Sequence, residues 1–341
     1  MDKRQKALVL SGGGGRGAYH VGVLRFLEEH DWKPDIVSGT SIGAVNGAAI
    51  ASGHNAFSLW SLWRRLSTDD VQKAKWNVLE GNYLLDTSPL RQTLQEEGWV
   101  HFDRINSPEA AVHLRVTATE ISTGHLHVFG NSPDVYPSKM AQEPIHLDHI
   151  IASCSIPLIY PATELNESLY WDGATVANTP LGPAIDAGAE EIVVVIMTPW
   201  EDDEEQEPIE PPKNMLTAAS TMLEWALLAS FQSDLKMFRR INEMVRLQLE
   251  NARLQAANRL LVSQLRGENP DFVDENGDGI PDILQDEYHV LPEPIIVAPR
   301  KAIAVDRIIR YTKDGHEELY KMGYEDAKRA WIAAGKEVEG G

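Results

Sequence analysis

The sequence predicts an α/β fold with a mostly parallel central sheet and helices on both of its faces. Two largely apolar runs, Ala7–Leu10 and Glu190–Met197, are typical of strands that are buried on both sides. Near the start of the chain, an apolar strand is twice followed by a glycine-containing turn and then a helix, which is the order of a parallel sheet unit. With 341 residues, 43% of them hydrophobic, the chain can form one large domain, or one domain that carries an insertion.

A glycine-rich loop follows the first predicted strand and leads into a predicted helix from Ala18 to His30. Glycine permits positive φ and a close approach of the backbone to a ligand, and the amides that precede a helix favour anions. Two functions therefore compete for this loop, namely dinucleotide binding and an oxyanion hole. The loop consists of Gly12, Gly13, Gly14, Gly15, Arg16 and Gly17.

The spacing Gly12-x-Gly14-x-x-Gly17 fits the dinucleotide fingerprint, which also needs an acidic residue at the end of the second strand. Asp31 and Asp35 both precede that strand. We therefore favour the oxyanion hole, in which loop amides stabilise the negative oxygen of an ester-hydrolysis intermediate.

The second strand ends in Gly39-Thr40-Ser41-Ile42-Gly43, and a helix of small residues, Ala44–Ala49, follows. A Gly-x-Ser-x-Gly turn between a strand and a helix is the pattern of a nucleophile elbow, in which Ser41 occupies strained backbone with its hydroxyl exposed. Gly39 and Gly43 would provide the room for that turn. A strand-to-helix turn with a capping serine remains the alternative.

The middle of the chain carries an aromatic helix and a hairpin. The helix, Asn55–Leu66, has an amphipathic pattern. We expect it to pack in the core rather than to form the rim of a substrate site. Val112–Thr119 and Gly124–Phe129 are predicted to pair as strands, with His125 and His127 on one face. Because no further metal ligands are nearby in the sequence, these two histidines indicate a solvated face rather than a metal site.

An aspartate followed by Gly173 and Ala174 comes after the apolar run Leu169–Trp171. A loop at this point can present the carboxylate of Asp172, although a strand-end aspartate is often only a turn former. The acidic, proline-rich stretch from Glu201 to Pro212 is expected to form an exposed loop.

A helix is predicted from Met215 to Arg266, because this stretch contains no glycine or proline. Leu247, Leu254 and Leu261 recur every seven residues. Unbroken, the helix is longer than a domain needs, so either it folds back or its distal part projects and supports a homo-oligomer.

An acidic loop follows this helix and matches the first nine places of a calcium loop, in which oxygen ligands alternate before a turn glycine. The twelfth place is Gln285, where a calcium loop has glutamate, so a solvated acidic turn is an equal alternative. A calcium ion here would be structural and not catalytic. Its candidate ligands are Asp274, Asn276, Asp278, Ile280 and Asp282.

The composition of the chain limits which kinds of partner the protein can bind. The formal net charge of −20 makes nucleic acid an unfavourable partner, and it restricts contact with an anionic membrane surface to local apolar sites. Cys154 is the single cysteine, the N-terminal apolar run is too short for a signal peptide, and no apolar run reaches a membrane-spanning length. The expected location is cytoplasmic, with transient contact at a membrane surface.

Taken in order, three motifs resemble those of the patatin-like phospholipase family: Gly12–Gly17, Gly39–Gly43 and Asp172–Ala174. Two stretches around Gly81–Asp86 and Ala152–Pro157 also look like the family. The resemblance covers residues 1–241 and 292–341 as the hydrolase domain, and it leaves 242–291 as a helical insertion.

The resemblance implies a three-layer α/β sandwich and a Ser-Asp dyad that works without histidine and without a catalytic cofactor. Ser41 would be the nucleophile and Asp172 its base, because serine needs an adjacent base at neutral pH. Gly12 to Gly15 would supply oxyanion amides, with Arg16 and Gly17 supporting the loop. The implied substrate is a phospholipid or a lysophospholipid.

Three alternatives stay open. A Ser-His-Asp triad needs a histidine late in the chain, where His289 and His316 are the candidates and neither has a suitable setting. A nucleotide-binding Rossmann protein would use Gly12, Gly14 and Gly17. A non-catalytic scaffold would rely on the long helix and a calcium ion.

Overall fold

A computed structural model describes residues 5–74, 83–96, 98–136, 138, 140–199, 211, 215–267 and 290–338. Its main sheet has nine strands, of which seven follow the order β11-β10-β1-β2-β5-β6-β7, while β9 pairs with β5 and with β8. These strands are β1 (Lys6–Leu10), β2 (Ile36–Thr40), β5 (His113–Glu120), β6 (Leu126–Gly130), β7 (Ala141–Gln142), β8 (Thr163–Leu165), β9 (Ser168–Asp172), β10 (Glu191–Val195) and β11 (Ile295–Val297). A separate antiparallel pair joins β3 (Lys73–Ala74) to β4 (Leu85–Asp86).

The described helices are interspersed with the strands along the chain, as expected for an α/β fold. They are α1 (Ala18–Glu29), α2 (Ile42–Ala51), α3 (Ala56–Trp63), α4 (Thr68–Val71), α5 (Ser88–Glu96), α6 (Phe102–Ile105), α7 (Leu147–Ser153), α8 (Leu181–Asp186), α9 (Met215–Arg266) and α10 (Lys313–Ala333). In this part of the chain, none of the helices is long and apolar enough to cross a membrane.

The centre of the sheet is parallel. β1 pairs in parallel with β2 and with β10, and β2 pairs in parallel with β5. β6 and β9 run antiparallel to β5, so the predicted hairpin of β5 and β6 is confirmed. Every residue of β2 is buried, as expected for a strand with helices on both sides.

Two neighbouring residues of β2 show that both faces of the sheet are covered. Val37 packs against Gly47 of α2, and the Ser38 hydroxyl donates a hydrogen bond to the carbonyl of Pro180, which directly precedes α8. Because successive side chains of a strand point to opposite faces, α2 and α8 lie on opposite sides. The α/β sandwich with a mostly parallel sheet is therefore confirmed.

By its contacts the chain divides into two units. The first contains Met1–Phe231 and Pro294–Gly341, and it holds the sheet. Its aromatic helix α3 buries Leu59, Leu62 and Trp63, which confirms the expected core position. The second unit is Gln232–Glu293. The proposed boundaries of the insertion, 242 and 291, stay a prediction.

In the second unit, the chain after α9 returns to the side of that helix. The Asn242 side chain donates a hydrogen bond to the Leu291 carbonyl and accepts one from the Leu291 amide, and Arg239 forms an ion pair with Glu293. Helix α9 runs as one continuous helix of 52 residues, so the alternative in which it folds back is wrong.

Candidate active site

Ser41 lies alone between the end of β2 and the start of α2. Its backbone has φ 56° and ψ −126°, a conformation that side-chain-bearing residues rarely adopt. The Ser41 amide donates a hydrogen bond of 2.8 Å to the hydroxyl of Ser153, which holds the turn in place. A strained residue between a strand and a helix is the geometry of a nucleophile elbow.

The two glycines of the elbow are required by close backbone contacts. A Cβ atom at position 39 would lie 2.3 Å from the carbonyl oxygen of Gly43. At position 43 it would lie 2.2 Å from the carbonyl oxygen of Leu10. Both distances are far below van der Waals contact, so no larger residue fits either position without moving the turn.

Asp172 ends β9, where it pairs with Ala118 of β5. Its amide donates to the Ser155 carbonyl at 2.8 Å, and its side chain accepts a 2.8 Å hydrogen bond from the amide of Ala174. A Cβ atom at position 173 would lie 2.5 Å from the hydroxyl of Thr117, which explains the glycine after the aspartate. The carboxylate is thus buried and fixed.

Ser41 and Asp172 are brought together. Burial raises the pKa of Asp172 to about 7, and hydrogen bonds from the Ser41 hydroxyl and the Ala174 amide partly oppose that rise. The thiol of Cys154 also contacts Ser41, and burial raises the pKa of this thiol well above its usual range. A carboxylate with a pKa near neutrality is suited to accept and return a proton.

The glycine loop lies against the same two residues. A Cβ atom at Gly12 would lie 3.2 Å from the Cβ of Ser41 and 3.7 Å from the Cβ of Ala174. The Gly12 amide donates to the backbone and side-chain oxygens of Asn178, both at 3.1 Å. Of the four predicted oxyanion glycines, Gly12 is therefore engaged, and Gly13, Gly14 and Gly15 remain as candidate donors.

A C-terminal segment lies on the other side of the glycine loop. We call residues 305–311 the C-terminal strap. Gly14 has φ +57°, and a Cβ atom there would lie 2.0 Å from the carbonyl oxygen of Ile308. At Gly15 it would lie 2.4 Å from the carbonyl oxygen of Arg307. The strap therefore allows only glycine at these two positions.

Arg16 and Gly17 complete the loop as its support. Arg16 is buried in the short helical turn Gly14–Gly17. At Gly17 a Cβ atom would lie 2.5 Å from the side chains of Ile42 and Trp63, so this glycine lets the loop pack against α2 and α3.

An apolar pocket opens beside Ser41. Ser41 and Thr93 contribute aliphatic hydroxyl groups to its lining. The other lining residues are apolar or aromatic, apart from Gly14 and Cys154, which contributes a thiol. Such a wall suits a hydrocarbon chain and excludes water from the ester. The pocket is lined by Gly14, Ser41, Ile42, Val45, Leu66, Val71, Leu90, Thr93, Leu94, Trp99, Cys154, Ile156, Tyr160 and Tyr311.

Two buried histidines, His316 and His20, contact residues other than Ser41 and Asp172. The Nδ1 atom of His316 contacts the Trp63 carbonyl at 2.9 Å, and burial lowers the pKa of His316 to about 4. His20 contacts Asn46, and burial lowers its pKa to about 3. These contacts are with groups outside the Ser41–Asp172 pair, which weakens the triad alternative. His289 lies outside the described residues.

The acidic residue that a dinucleotide would need is also misplaced. Asp35 accepts a 3.0 Å hydrogen bond from the amide of Lys6, at the start of β1 and just before β2. The glycine loop follows the opposite end of β1. Because the ribose of a dinucleotide lies at the carboxyl ends of the strands, Asp35 cannot hold it.

Several predicted features lie outside the described residues. They are the candidate calcium ligands Asp274 to Asp282, nearly all of the acidic stretch 201–212, and Gly81 and Asn82 of a supporting motif. Within the described part, no group of three or more His, Cys, Asp or Glu side chains is arranged to hold a metal ion. His127, one of the two hairpin histidines, contacts the Tyr170 hydroxyl at 3.0 Å.

Sequence reasoning missed the residues that position the motifs. Ser153 lies in a stretch that resembled the family, but its bond to the Ser41 amide is visible only in the structure. Asn178 carries no motif, and the strap follows the glycine loop by almost 300 positions. Each acts through a contact between distant parts of the chain, for which a single sequence offers no signal.

The sequence matches one family model and is similar to several known proteins. A family model described as patatin-like phospholipase matches residues 8–185. Lysophospholipase NTE1 of Meyerozyma guilliermondii is 30% identical over 191 residues, which are 55% of this chain and 12% of that protein. Patatin-like phospholipase domain-containing protein ZK370.4 of Caenorhabditis elegans is 34% identical over 140 residues, 37% of this chain and 9% of that protein.

The chain thus spans a small part of the length of these curated relatives. Among solved structures, VipD from Legionella pneumophila aligns with a TM-score of 0.46 and 13% identity, covering 97% of this chain and 67% of that chain.

Proposed function

The chain belongs to the patatin-like phospholipase family, and on that premise we propose that it is a serine lipid acyl hydrolase that cleaves carboxylic esters of phospholipids or lysophospholipids. The observation that carries the proposal is the contact between Ser41, on strained backbone at the end of β2, and the buried carboxylate of Asp172. A serine is inert at neutral pH without such a base.

In the first half of the reaction, the Ser41 oxygen attacks the ester carbonyl carbon while its proton passes to Asp172. The carbonyl oxygen becomes negative and is stabilised by amides of Gly13, Gly14 and Gly15 and by the N-terminus of α2. When the tetrahedral intermediate collapses, the bond to the alcohol breaks, and Asp172 returns the proton to the leaving oxygen. The acyl group then remains on Ser41.

In the second half, water attacks the acyl carbon and gives its proton to Asp172. Collapse of this intermediate breaks the bond to Ser41, which takes the proton back from Asp172, and the fatty acid leaves. A carboxylate is a weaker base than imidazole, so oxyanion stabilisation has to supply much of the rate, and one such donor contributes roughly 10²–10³-fold in comparable sites.

The apolar pocket supports an acyl chain as the part of the substrate that is held. Ser41 and Gly14 both line it, so a hydrocarbon chain within it could place its ester carbonyl between the nucleophile and the glycine loop. Each buried methylene contributes about 0.8 kcal/mol of binding free energy. Long acyl chains should therefore be preferred over short ones.

Two exposed leucines support contact with a lipid surface. Leu158 and Leu84, which we call the apolar lip, are 75% and 51% exposed, and the Leu84 amide donates to the Leu158 carbonyl at 3.1 Å. Leu158 lies between Ile156 and Tyr160, which both line the pocket. The lip would enter a lipid surface beside the pocket and let an acyl chain pass into it.

Labelling with a fluorophosphonate tests the proposal, because an activated serine displaces fluoride from phosphorus and gains a stable mass. We expect one adduct on the intact protein, mapped to Ser41, and none in Ser41→Ala. Hydrolysis of a lysophospholipid should be lost in Ser41→Ala and in Asp172→Asn, whose folds should remain.

Asp186→Asn is the matched control for Asp172→Asn, since burial also raises the pKa of Asp186, to about 6, at a position where its neighbours are Asp134 and Arg115. This variant should keep its activity. An adduct on another residue, or full hydrolysis by Asp172→Asn, would refute the assigned dyad.

A further inference from the structure

One face of helix α9 has a pattern that the hydrolase site does not explain. Starting at Met237 and moving by alternate steps of four and three, nine successive positions carry no charged side chain, and all nine are exposed. We call this row the uncharged stripe. It consists of Met237, Ile241, Met244, Gln248, Asn251, Gln255, Asn258, Val262 and Leu265. It is about 42 Å long at 1.5 Å per residue.

Two other rows on the same helix set the stripe apart. Leu247, Leu254 and Leu261 run along one side of it and are 56%, 65% and 59% exposed. We call them the leucine row. Farther around the exposed surface lies a charged row, which consists of Arg239, Glu243, Arg246, Glu250 and Arg253. The exposed surface thus has a charged row beyond the leucine row, and the stripe itself carries no charge, although Arg240, Arg259 and Arg266 are exposed at its borders.

This arrangement is unusual for a helix that faces water alone. Exposed helical positions normally carry charges, and monomeric proteins seldom expose long continuous apolar surfaces. The alternation of four and three is the heptad spacing that keeps one seam of a helix facing a partner helix. The stripe therefore has the geometry of a coiled-coil seam, and in the part of the chain that the structure describes this seam is exposed.

We propose that the uncharged stripe of α9 packs against the same stripe of a second copy of this chain, as an antiparallel two-stranded coiled coil. The order of polarity along the stripe favours a copy of itself. The four amide side chains lie in the middle, and apolar side chains lie at both ends. A pattern that is nearly the same in both directions is what a two-fold axis perpendicular to the helices requires.

One antiparallel register pairs eight of the nine positions of the stripe, and only Met237 lies beyond the paired length. Asn251 meets Gln255 of the second copy, and Gln248 meets its Asn258. Farther out, Met244 meets Val262, and Ile241 meets Leu265. Each amide can both donate and accept, so the amide layers satisfy one another, while the outer layers bury apolar side chains.

The leucine row decides between the two directions. In this antiparallel register, Leu254 meets Leu254 of the second copy, and Leu247 meets Leu261. In a parallel coil, a residue of this row faces the residue five positions later on the partner, so Leu254 would face Arg259, and Leu261 would face Arg266. The antiparallel pair buries leucine against leucine, whereas the parallel pair puts leucine against arginine.

The mass in solution is the first test. Light scattering on the full chain should give twice the chain mass of 37.9 kDa. The triple variant Leu247→Glu, Leu254→Glu and Leu261→Glu should be monomeric with unchanged helix content. Arg246→Glu with Arg253→Glu, on the charged row, is the matched control and should stay dimeric. A monomeric wild type, or a dimeric triple variant, would overturn the proposal.

Disulfide trapping tests the direction without relying on destabilising variants. The chain has one cysteine, Cys154, which is buried, so the wild type gives the background. Under mild oxidation, Leu254→Cys should form a disulfide-linked dimer, because this position meets itself across the two-fold axis. Asn251→Cys should not, since it would meet itself only in a parallel coil. Trapping through Asn251→Cys and not through Leu254→Cys would overturn the antiparallel arrangement.

Discussion

At Asp172, burial and hydrogen bonding change the pKa in opposite directions, and burial prevails. Asp172 is 2% exposed, and the pKa of its carboxyl, about 7, lies far above the usual value for aspartate. A base must be unprotonated to accept the Ser41 proton. The pH of half-maximal activity should therefore report the environment of this one side chain.

We predict that kcat/KM for a soluble ester rises with pH below about 7, by up to tenfold per pH unit, and becomes constant above it. The direction follows from the raised pKa, because the protonated carboxyl that predominates below it cannot act as a base. Initial rates between pH 5 and 9 would measure the profile, with circular dichroism at each pH as the control for unfolding. A profile that is flat across this range would contradict the assigned role.

Ser41 provides a second prediction, on stability. Its backbone φ of 56° and ψ of −126° suit glycine better than any residue with a Cβ atom. Ser41→Ala and Ser41→Gly should both be inactive, but the glycine variant should be the more stable by about 1 kcal/mol, because it removes backbone strain. Urea unfolding at one pH measures the difference. If the alanine variant proved equally stable, the turn would not be strained.

At this scale the sequence predicted the reacting groups better than their surroundings. Ser41, Asp172 and the glycine loop each stand in a short local motif, so their meeting could be expected. The raised pKa could not, because it depends on burial beneath residues from several elements. The hydrogen bonds from Gly12 to Asn178 and from Ser41 to Ser153 likewise join parts of the chain that are far apart in sequence.

At the scale of elements, the predicted strands and helices of the core are largely those observed. Apolar strands, glycine turns and small-residue helices are local signals, and β1, β2, α1 and α2 follow them. The C-terminal strap is different, because its residues carry no periodic pattern. Its carbonyl oxygens nevertheless decide that positions 14 and 15 must be glycine.

We predict that Gly15→Ala lowers activity at least 100-fold, since its methyl group would lie 2.4 Å from the Arg307 carbonyl oxygen and would move either the strap or the oxyanion loop. Rates on a soluble ester, with thermal unfolding measured in parallel, would show the loss. Gly182→Ala is the matched control. This glycine is in α8, no residue apart from its chain neighbours lies within 4 Å of the added Cβ, and the variant should keep its activity.

The contrary result would be informative about the strap. If Gly15→Ala kept full activity, the loop would tolerate displacement, and its amides could not be the preorganised donors that the mechanism requires. If Gly15→Ala and Gly182→Ala lost activity alike, the loss would reflect general damage to the fold.

At the scale of the whole molecule, net charge and exposed apolar side chains have opposite effects on binding to an anionic lipid surface. The net charge of −20 repels anionic headgroups over about 10 Å at 0.1 M salt. The apolar lip offers local attraction that does not depend on charge. Composition alone predicted the repulsion, whereas the lip depends on Leu84 and Leu158 meeting through backbone hydrogen bonds, which no local pattern indicates.

We predict that the protein hydrolyses zwitterionic phosphatidylcholine vesicles faster than vesicles with one-third anionic lipid, and that added salt reduces this difference by screening the repulsion. Leu158→Asn should lower the rate on vesicles several-fold and leave the rate on a soluble short-chain ester unchanged. Asparagine is chosen because Leu158 has φ 68°, which asparagine tolerates better than most residues.

Phe57→Asn is the matched control, because Phe57 is 79% exposed on α3 and does not line the pocket. It should leave both rates unchanged. Equal losses on vesicles in the two variants would mean that exposed apolar area in general, and not the lip, drives lipid contact. A preference for anionic vesicles at low salt would mean that a local positive surface outweighs the net charge. Either result would separate access to the lipid from the chemistry at Ser41, which the soluble ester reports by itself.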